Sequence, residues 1–397
     1  MRGVIIGTAL ALSGCGELGV TVFEPTPGPR PGGGVVALGG REQRYPALAV
    51  MGPDYLLTWS EPEPSPAVRA ARVRPADEEV RGEEISDRRV SDVHLWPRAS
   101  DWLLTAQGGS RVMLLSVTSD LEGFDQRAVG SANSSADLRA VPEGDALYGV
   151  WTANLDNDYD VWGGLIDPDN SVRAGSDATL TPGRNYEYAP EVARVGDSKL
   201  LIWLKFSSMV NYNYDINGRW LDATGASFVL PAVGDQREIV SAGGRTVALI
   251  VWWDSPSGGL VATRARPDGT LVERRPVNLW PSAGRSAAIA PIEGGFLIVG
   301  PGLKDGVPNL RLLMVDESSK IEPERAVWLA GGELGTNLDR PAVAVRSDGT
   351  GLISFAHGTA TSTVILSRRF ALRPLASACR AARECLSSRC VSGLCSE

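Results

Sequence analysis

The chain has 397 residues, of which 22 % are charged and 43 % apolar, and its formal net charge is −8. That acidity excludes a nucleic-acid partner, which needs a basic face to displace counterions. The only histidines, His94 and His357, leave little room for a histidine metal site or a Ser-His or Cys-His nucleophile. Both are expected to be ordinary surface or loop residues.

The N-terminus has one positive residue, Arg2, then a short apolar run from Val4 to Leu12 and small residues after it. This is the layout of a secretory signal, and it is too short to span a bilayer as a mature helix. The stretch Leu12-Ser13-Gly14-Cys15 resembles the lipobox of bacterial lipoproteins. The resemblance implies that residues 1–14 are removed and that Cys15 becomes the lipidated first residue. Several acyl chains would then hold the protein on a membrane without a transmembrane helix. Gly16 follows the cysteine where an aspartate would favour inner-membrane retention, so the outer membrane is expected, at its periplasmic face or the cell surface. Residues 15–33 contain the Pro/Gly-rich stretch FEPTPGPRPGGG and read as a tether.

From residue 34 to 374 one unit recurs with a period of roughly 45–55 residues, the range of propeller blades. Its first strand is expected at 46–50, 97–99, 138–141, 190–194, 238–240, 287–289 and 341–345. A tight acidic or glycine turn follows, as at Gly196-Asp197 or Asp348-Gly349. Next comes a nearly continuous apolar run: YLLTW at Tyr55, WLLTA at Trp102, LYGVW at Leu147, LLIW at Leu200, VALIVWW at Val247, FLIV at Phe296 and LISF at Leu352. Strands buried on both faces have this composition. The third strand is expected at 68–73, 112–117, 160–166, 215–221, 260–265, 310–315 and 363–370. Six units have room for a fourth strand. The seventh lacks it, and the segment Gly34–Leu38 is placed to supply it. The fold expected is therefore all-β: a propeller of about seven four-stranded blades, closed by an N-terminal strand in the last blade.

The units resemble repeats of bacterial secreted propellers, with an apolar strand ending in tryptophan and then a segment such as Asp160-Val161-Trp162 or Asp215-Ile216-Asn217-Gly218-Arg219. The resemblance covers roughly residues 34–370 and implies the fold, not an activity. The recurring Trp59, Trp151, Trp203, Trp252 and Trp253 are expected to pack between blades. The Asp-box of sialidases is not present in a convincing form.

The tail, residues 375–397, carries Cys379, Cys385, Cys390 and Cys395. Four cysteines in an exported chain favour two disulfides, with three pairings open. Gaps of four and five residues do not match the paired C-x2-C spacing of a four-cysteine zinc site. The tail resembles the cysteine-rich tags of myxobacterial-type secreted proteins.

Two loop features stand out as candidate sites. Asp156, Asp158 and Asp160 place oxygen ligands at alternate positions, as calcium loops do. A solvated acidic loop explains the same pattern, so no cofactor is required. Tyr186, Tyr188, Tyr212 and Tyr214 lie in amide-flanked aromatic stretches suited to a sugar or protein surface. Packing between blades is the structural alternative. No phosphate loop, GxSxG elbow or identifiable carboxylate pair appears, so no catalytic residue is assigned. The expected function is a monomeric, membrane-anchored, non-enzymatic propeller that binds a protein or polysaccharide or serves as a scaffold. The alternative is a propeller glycoside hydrolase or lyase acting on an exported polysaccharide.

Overall fold

A computed structural model describes residues 18–22, 35–38, 42–374, 390–391 and 394–395. Within the long span it omits 63–65, 76, 78, 88–89, 122, 130–133, 156–157, 183–185, 209–212, 223–224, 231–233, 283, 335–339 and 360–361. Cys15, Asp156, Tyr212, Cys379 and Cys385 therefore lie outside the described residues, as do residues 1–14.

Seven antiparallel sheets form a seven-bladed β-propeller. Blade 1 runs Arg44–Met51, Asp54–Glu61, Ala67–Val73 and Glu83–Ser86. Blade 2 runs Ser91–Pro97, Trp102–Gly108, Arg111–Val117 and Gly123–Ala128. Blade 3 runs Ser134–Glu143, Ala146–Leu155, Asp158–Ile166 and Ala178–Thr179. Blade 4 runs Glu187–Val195, Ser198–Ser208, Asn213–Trp220 and Ser227–Val229. Blade 5 runs Gln236–Gly243, Ala248–Asp254, Gly259–Ala265 and Val277–Pro281. Blade 6 runs Ala288–Ile292, Gly295–Lys304, Val307–Asp316 and Val327–Glu333. Blade 7 has Ala342–Val345, Thr350–Thr359 and Ser362–Pro374 from the C-terminal part, and its fourth strand is Val35–Leu38. That strand runs antiparallel to the third, with Val35 opposite Ser367. Leu18–Val22 also pairs with the third strand, Val22 opposite Phe370, and Glu79–Arg81 extends the sheet in parallel beside Val35–Leu38.

The apolar second strands are what hold the blades face to face. Asp54–Glu61 is buried along its whole length. Seven apolar clusters lie one at each blade junction, from Leu56 against Leu104 between blades 1 and 2 to Leu57 against Leu352 between blades 7 and 1. Trp59, Trp151 and Trp252 are fully buried in these junctions, while Trp203 and Trp253 pack at their margins. Each such side chain contributes on the order of 2–3 kcal/mol by leaving water.

Several junctions also share a polar device. A side chain at the entry to a blade accepts a hydrogen bond from a backbone N–H in the third strand of the preceding blade. Ser135 Oγ takes Val112 N at 3.0 Å, Thr181 Oγ1 takes Val161 N at 2.9 Å and Gln236 Oε1 takes Ile216 N at 2.8 Å. At the ring closure, Gln43 Oε1 takes Ile365 N at 2.7 Å and its Nε2 donates to Ala37 O at 3.2 Å. Gln43 is thus buried against two strands of blade 7 that come from opposite ends of the chain. Gln43→Ala would leave a buried N–H and a buried carbonyl without partners, at about 1–3 kcal/mol each. The expected loss is roughly 3 kcal/mol in denaturant unfolding, and a change below about 0.5 kcal/mol would contradict this role.

Candidate active site

The first strands of five blades carry the same irregularity near their starts. The register against the second strand shifts between Arg44 and Ala47, Ser91 and His94, Ala136 and Arg139, Tyr188 and Glu191, and Arg237 and Val240. Within each shift one non-glycine residue has a left-handed backbone: Tyr45 (φ 51°), Asp92 (φ 50°), Asp137 (φ 56°), Ala189 (φ 47°) and Glu238 (φ 52°). Such backbone is uncommon outside glycine, and a bulge re-aims the side chains around it. Here all five residues line one cavity of about 490 Å³. Because the second strands run antiparallel, their ends and the loops to the third strands lie at the same end of the ring.

Arg139 is the centre of the polar wall. It is buried, with Nε donating to Glu191 Oε1 at 2.8 Å, Nη2 to Asp92 Oδ2 at 3.3 Å and Nη1 to Leu138 O at 3.0 Å. Asp92 Oδ1 lies 3.0 Å from His94 Nε2, and the imidazole stacks on Trp96 at 5.9 Å. Ser241 Oγ lies 3.4 Å from Glu191 Oε2. Across the cavity Arg340 reaches Glu238 at 3.7 Å. His94 is therefore held behind the cavity-lining Asp92, with its side chain 15 % exposed, and is not an ordinary surface residue.

These contacts push the acids in opposite directions. Burial alone would raise the Asp92 carboxyl, but His94 and Arg139 hold it well below the usual carboxylate range. Burial, helped by Arg139, lowers His94 to about 4, so the imidazole is neutral at pH 7. The permanent charge that keeps Asp92 ionised is then that of Arg139, with His94 donating a hydrogen bond. Asp137 is pushed up, first by burial and then by the nearby charges of Asp92 and Glu238, against the pull of Arg139. Burial also raises Glu191, opposed by Arg139.

The tyrosines expected to bind ligand are largely brought together. Tyr186, Tyr188 and Tyr214 gather with Tyr159 and Phe206 at the junction of blades 3 and 4, with ring centroids 5.1–6.3 Å apart. Tyr188 and Tyr214 also line the cavity. Arg237 lies over the Tyr214 ring at 5.5 Å.

Of the acidic loop, Asp158 and Asp160 are described. Asp160 sits with Glu187, a residue without any sequence signal of its own, whose side chain is 4 % exposed and lies 3.8 Å from Lys205 Nζ. Burial raises Glu187 to about 7; Lys205 opposes the shift and the charges of Asp160 and Asp158 add to it. Asp160 Oδ1 and Glu187 Oε2 are buried without a donor among the described residues. One proton shared between the two carboxyls supplies it. Both of these oxygens are buried, so the shared proton bears on stability. The sign follows from linkage: between pH 4.5 and 7 the folded protein holds a proton the unfolded chain has released, so stability falls as pH rises through that window, by about 3 kcal/mol from this group. Glu187→Gln should flatten that slope and melt higher than the parent at pH 8; an unchanged slope would refute the shared proton. Among the described residues no group of three or more His, Cys, Asp or Glu is arranged to hold a metal ion. Cys390 lies opposite Cys395 in a two-stranded pairing of the tail.

No family model matches the chain, and no curated protein sequence does. Among solved structures it is similar to a puromycin-hydrolyzing peptidase of Mycobacterium tuberculosis, with a TM-score of 0.51 and 14 % identity over 82 % of this chain. The chain spans about half the length of that peptidase, 51 %. It is also similar to an α-L-arabinofuranosidase of Fusarium graminearum, with a TM-score of 0.46 and 12 % identity over 77 % of this chain and 99 % of that one. A Trypanosoma rangeli sialidase follows at 0.43 and 11 %, over 83 % of this chain and 55 % of that one. Identities this low bear on the fold alone. All three neighbours are hydrolases by name, where a non-enzymatic propeller was expected. The expectation of a non-enzymatic propeller is corrected on those findings.

Proposed function

We propose that the cavity at the channel mouth is the active site of a glycoside hydrolase that cleaves a polysaccharide. The observation that carries this reading is the pair Asp92 and Asp137. They occupy the same bulge position in adjacent blades, line one cavity, and are displaced in opposite directions, Asp137 upward by burial and Asp92 downward by His94 and Arg139. Glycoside hydrolysis needs such a division between a proton donor and an ionised carboxylate.

In this mechanism Asp137, protonated, delivers its proton to the glycosidic oxygen as the bond from that oxygen to the anomeric carbon breaks. Asp92 faces the positive charge developing on the sugar and takes a proton from the attacking water, whose oxygen bonds to the anomeric carbon. Arg139 and His94 keep Asp92 charged and oriented. The test is incubation of the full chain with soluble neutral polysaccharides, followed by chromatography of the products. New reducing ends are expected from at least one of them, and none from any would overturn the reading.

We infer further that the protein is exported and lipid-anchored through Cys15, which the Leu12-Ser13-Gly14-Cys15 stretch supports. Cys15→Ala should abolish incorporation of labelled fatty acid and release the protein from membranes. Membrane attachment that survives the substitution would refute the anchor. Two disulfides among Cys379, Cys385, Cys390 and Cys395 belong to the same reading of an oxidising compartment.

A further inference from the structure

The aromatic cluster raises a question that the acid pair does not answer. Tyr159, Tyr186, Tyr188 and Tyr214 are each only half-buried, although their rings touch one another. None of their hydroxyls bonds to a described residue. Tyrosines serving only to fill a junction would be covered like Trp151 or Trp252, which are 2 % and 1 % exposed. These rings instead form a patch that continues the cavity wall outward from Tyr188 and Tyr214. A sugar ring presents an apolar face of C–H groups and a rim of hydroxyls. An aromatic face and adjacent polar groups match both parts.

Charge narrows the class of sugar. Three arginines line the cavity or its rim, and each already has a carboxylate. Arg139 is bonded to Glu191 and Asp92, Arg237 to Asp235 at 2.5 Å, and Arg340 lies 3.7 Å from Glu238. Among the described residues lining the cavity every arginine is thus paired with a carboxylate, and Asp92 would repel an acidic sugar. The paired groups still offer many fixed donors and acceptors to hydroxyls.

We infer that the patch formed by Tyr159, Tyr186, Tyr188, Phe206 and Tyr214 is a subsite for a neutral saccharide chain, holding sugar units beyond the one at the Asp92–Asp137 pair. This rests on the reading of the mouth as a hydrolase site, and it makes the substrate a neutral polymer bound across the junction of blades 3 and 4.

The test measures binding separately from cleavage. Full-length protein carrying Asp137→Asn is run by affinity electrophoresis through gels containing arabinan, galactan, xylan, mannan or mixed-linkage β-glucan, and through gels with polygalacturonate or alginate. At least one neutral polymer should retard it and neither acidic one should. Adding Tyr186→Leu and Tyr214→Leu, which keep apolar bulk but remove the ring faces, should weaken that retardation at least tenfold. The matching phenylalanine pair should stay within about threefold, since the faces remain. Melting temperatures within a few degrees of the parent establish that each variant is folded.

Retardation only by the acidic polymers, by none of the neutral ones, or equally in the leucine and phenylalanine variants would overturn the subsite. If a neutral polymer is bound through these rings but wild-type protein releases no reducing ends from it, the subsite stands and the hydrolase reading falls. Cleavage with binding unaffected by the leucine pair would do the reverse.

Discussion

Asp137→Asn is expected to lower turnover about a thousandfold, within the range of 10²–10⁴ typical of losing a general acid, while leaving the propeller intact. The reason for the intact fold is local. Asp137 is half-buried at the cavity wall and bonds to no described residue, so an amide of the same shape leaves no partner stranded. The amide, like the protonated carboxyl it replaces, is neutral and so adds no charge beside Asp92 and Glu238. The pH dependence has a definite sign. Wild-type activity should fall as pH rises through the raised pKa of Asp137, because the donor is then deprotonated. It should fall again at low pH only when Asp92, held well below 3.8, takes up a proton. The asparagine variant should lose the alkaline limb. A variant that retains more than about a tenth of wild-type turnover would remove Asp137 from the acid role.

Arg139→Met is expected to cost about 3–5 kcal/mol of stability, the usual cost of stripping one member from a buried ionic network. Its guanidinium is 7 % exposed and bonds to Glu191 and Asp92 on two neighbouring blades, so its loss strands two carboxylates at once. Lysine should not rescue it, because a single ammonium cannot fork between two carboxylates. Combining Arg139→Met with Glu191→Leu should recover part of the loss, since one orphaned charge is then gone. If the double variant is as unstable as the sum of the singles, the network is not what holds these blades together. Loss of Arg139 also frees Asp92 to rise toward ordinary values. Its contribution to stability, present above 3.8 and lost as pH falls through the depressed pKa, should then shrink in the variant.

The ring was legible in the sequence because its cause is repetitive. Each second strand is apolar along its length, and the tryptophans recur at one place in the unit, so the count of seven and the role of Val35–Leu38 in closure followed. The polar wall of the cavity was not legible, and the bulges explain why. First strands were expected to begin only where apolar residues begin, as at Leu138 or Pro190. The first strands of the five bulged blades in fact start earlier, through a polar stretch that a flat strand would not tolerate facing its neighbours. In blade 2 the expected strand, 97–99, shares only Pro97 with the observed Ser91–Pro97. Val93 and Leu95 are its buried face, while Asp92 lines the cavity and His94 bonds to it. One clue was present: Tyr45, Asp92, Asp137, Ala189 and Glu238 recur at spacings of 45–52 residues, the blade period, and three of the five are acids. A polar residue kept at one place in an apolar repeat points into the channel. The tyrosines were legible as residue types, but their assembly with Phe206 and Tyr159 depends on two blades meeting. Glu187 and Arg139 carry no local pattern, and only their burial gives them meaning.

The most direct test of the account is the titration of the Asp92 and Asp137 carboxyls by carbon-detected NMR in protein with labelled aspartate, with Asp92→Asn and Asp137→Asn assigning the two signals. The account predicts that Asp137 titrates above 3.8 and Asp92 well below it. If both titrate together near the ordinary aspartate value, the mouth holds no acid and base of opposite state, and the hydrolase assignment fails.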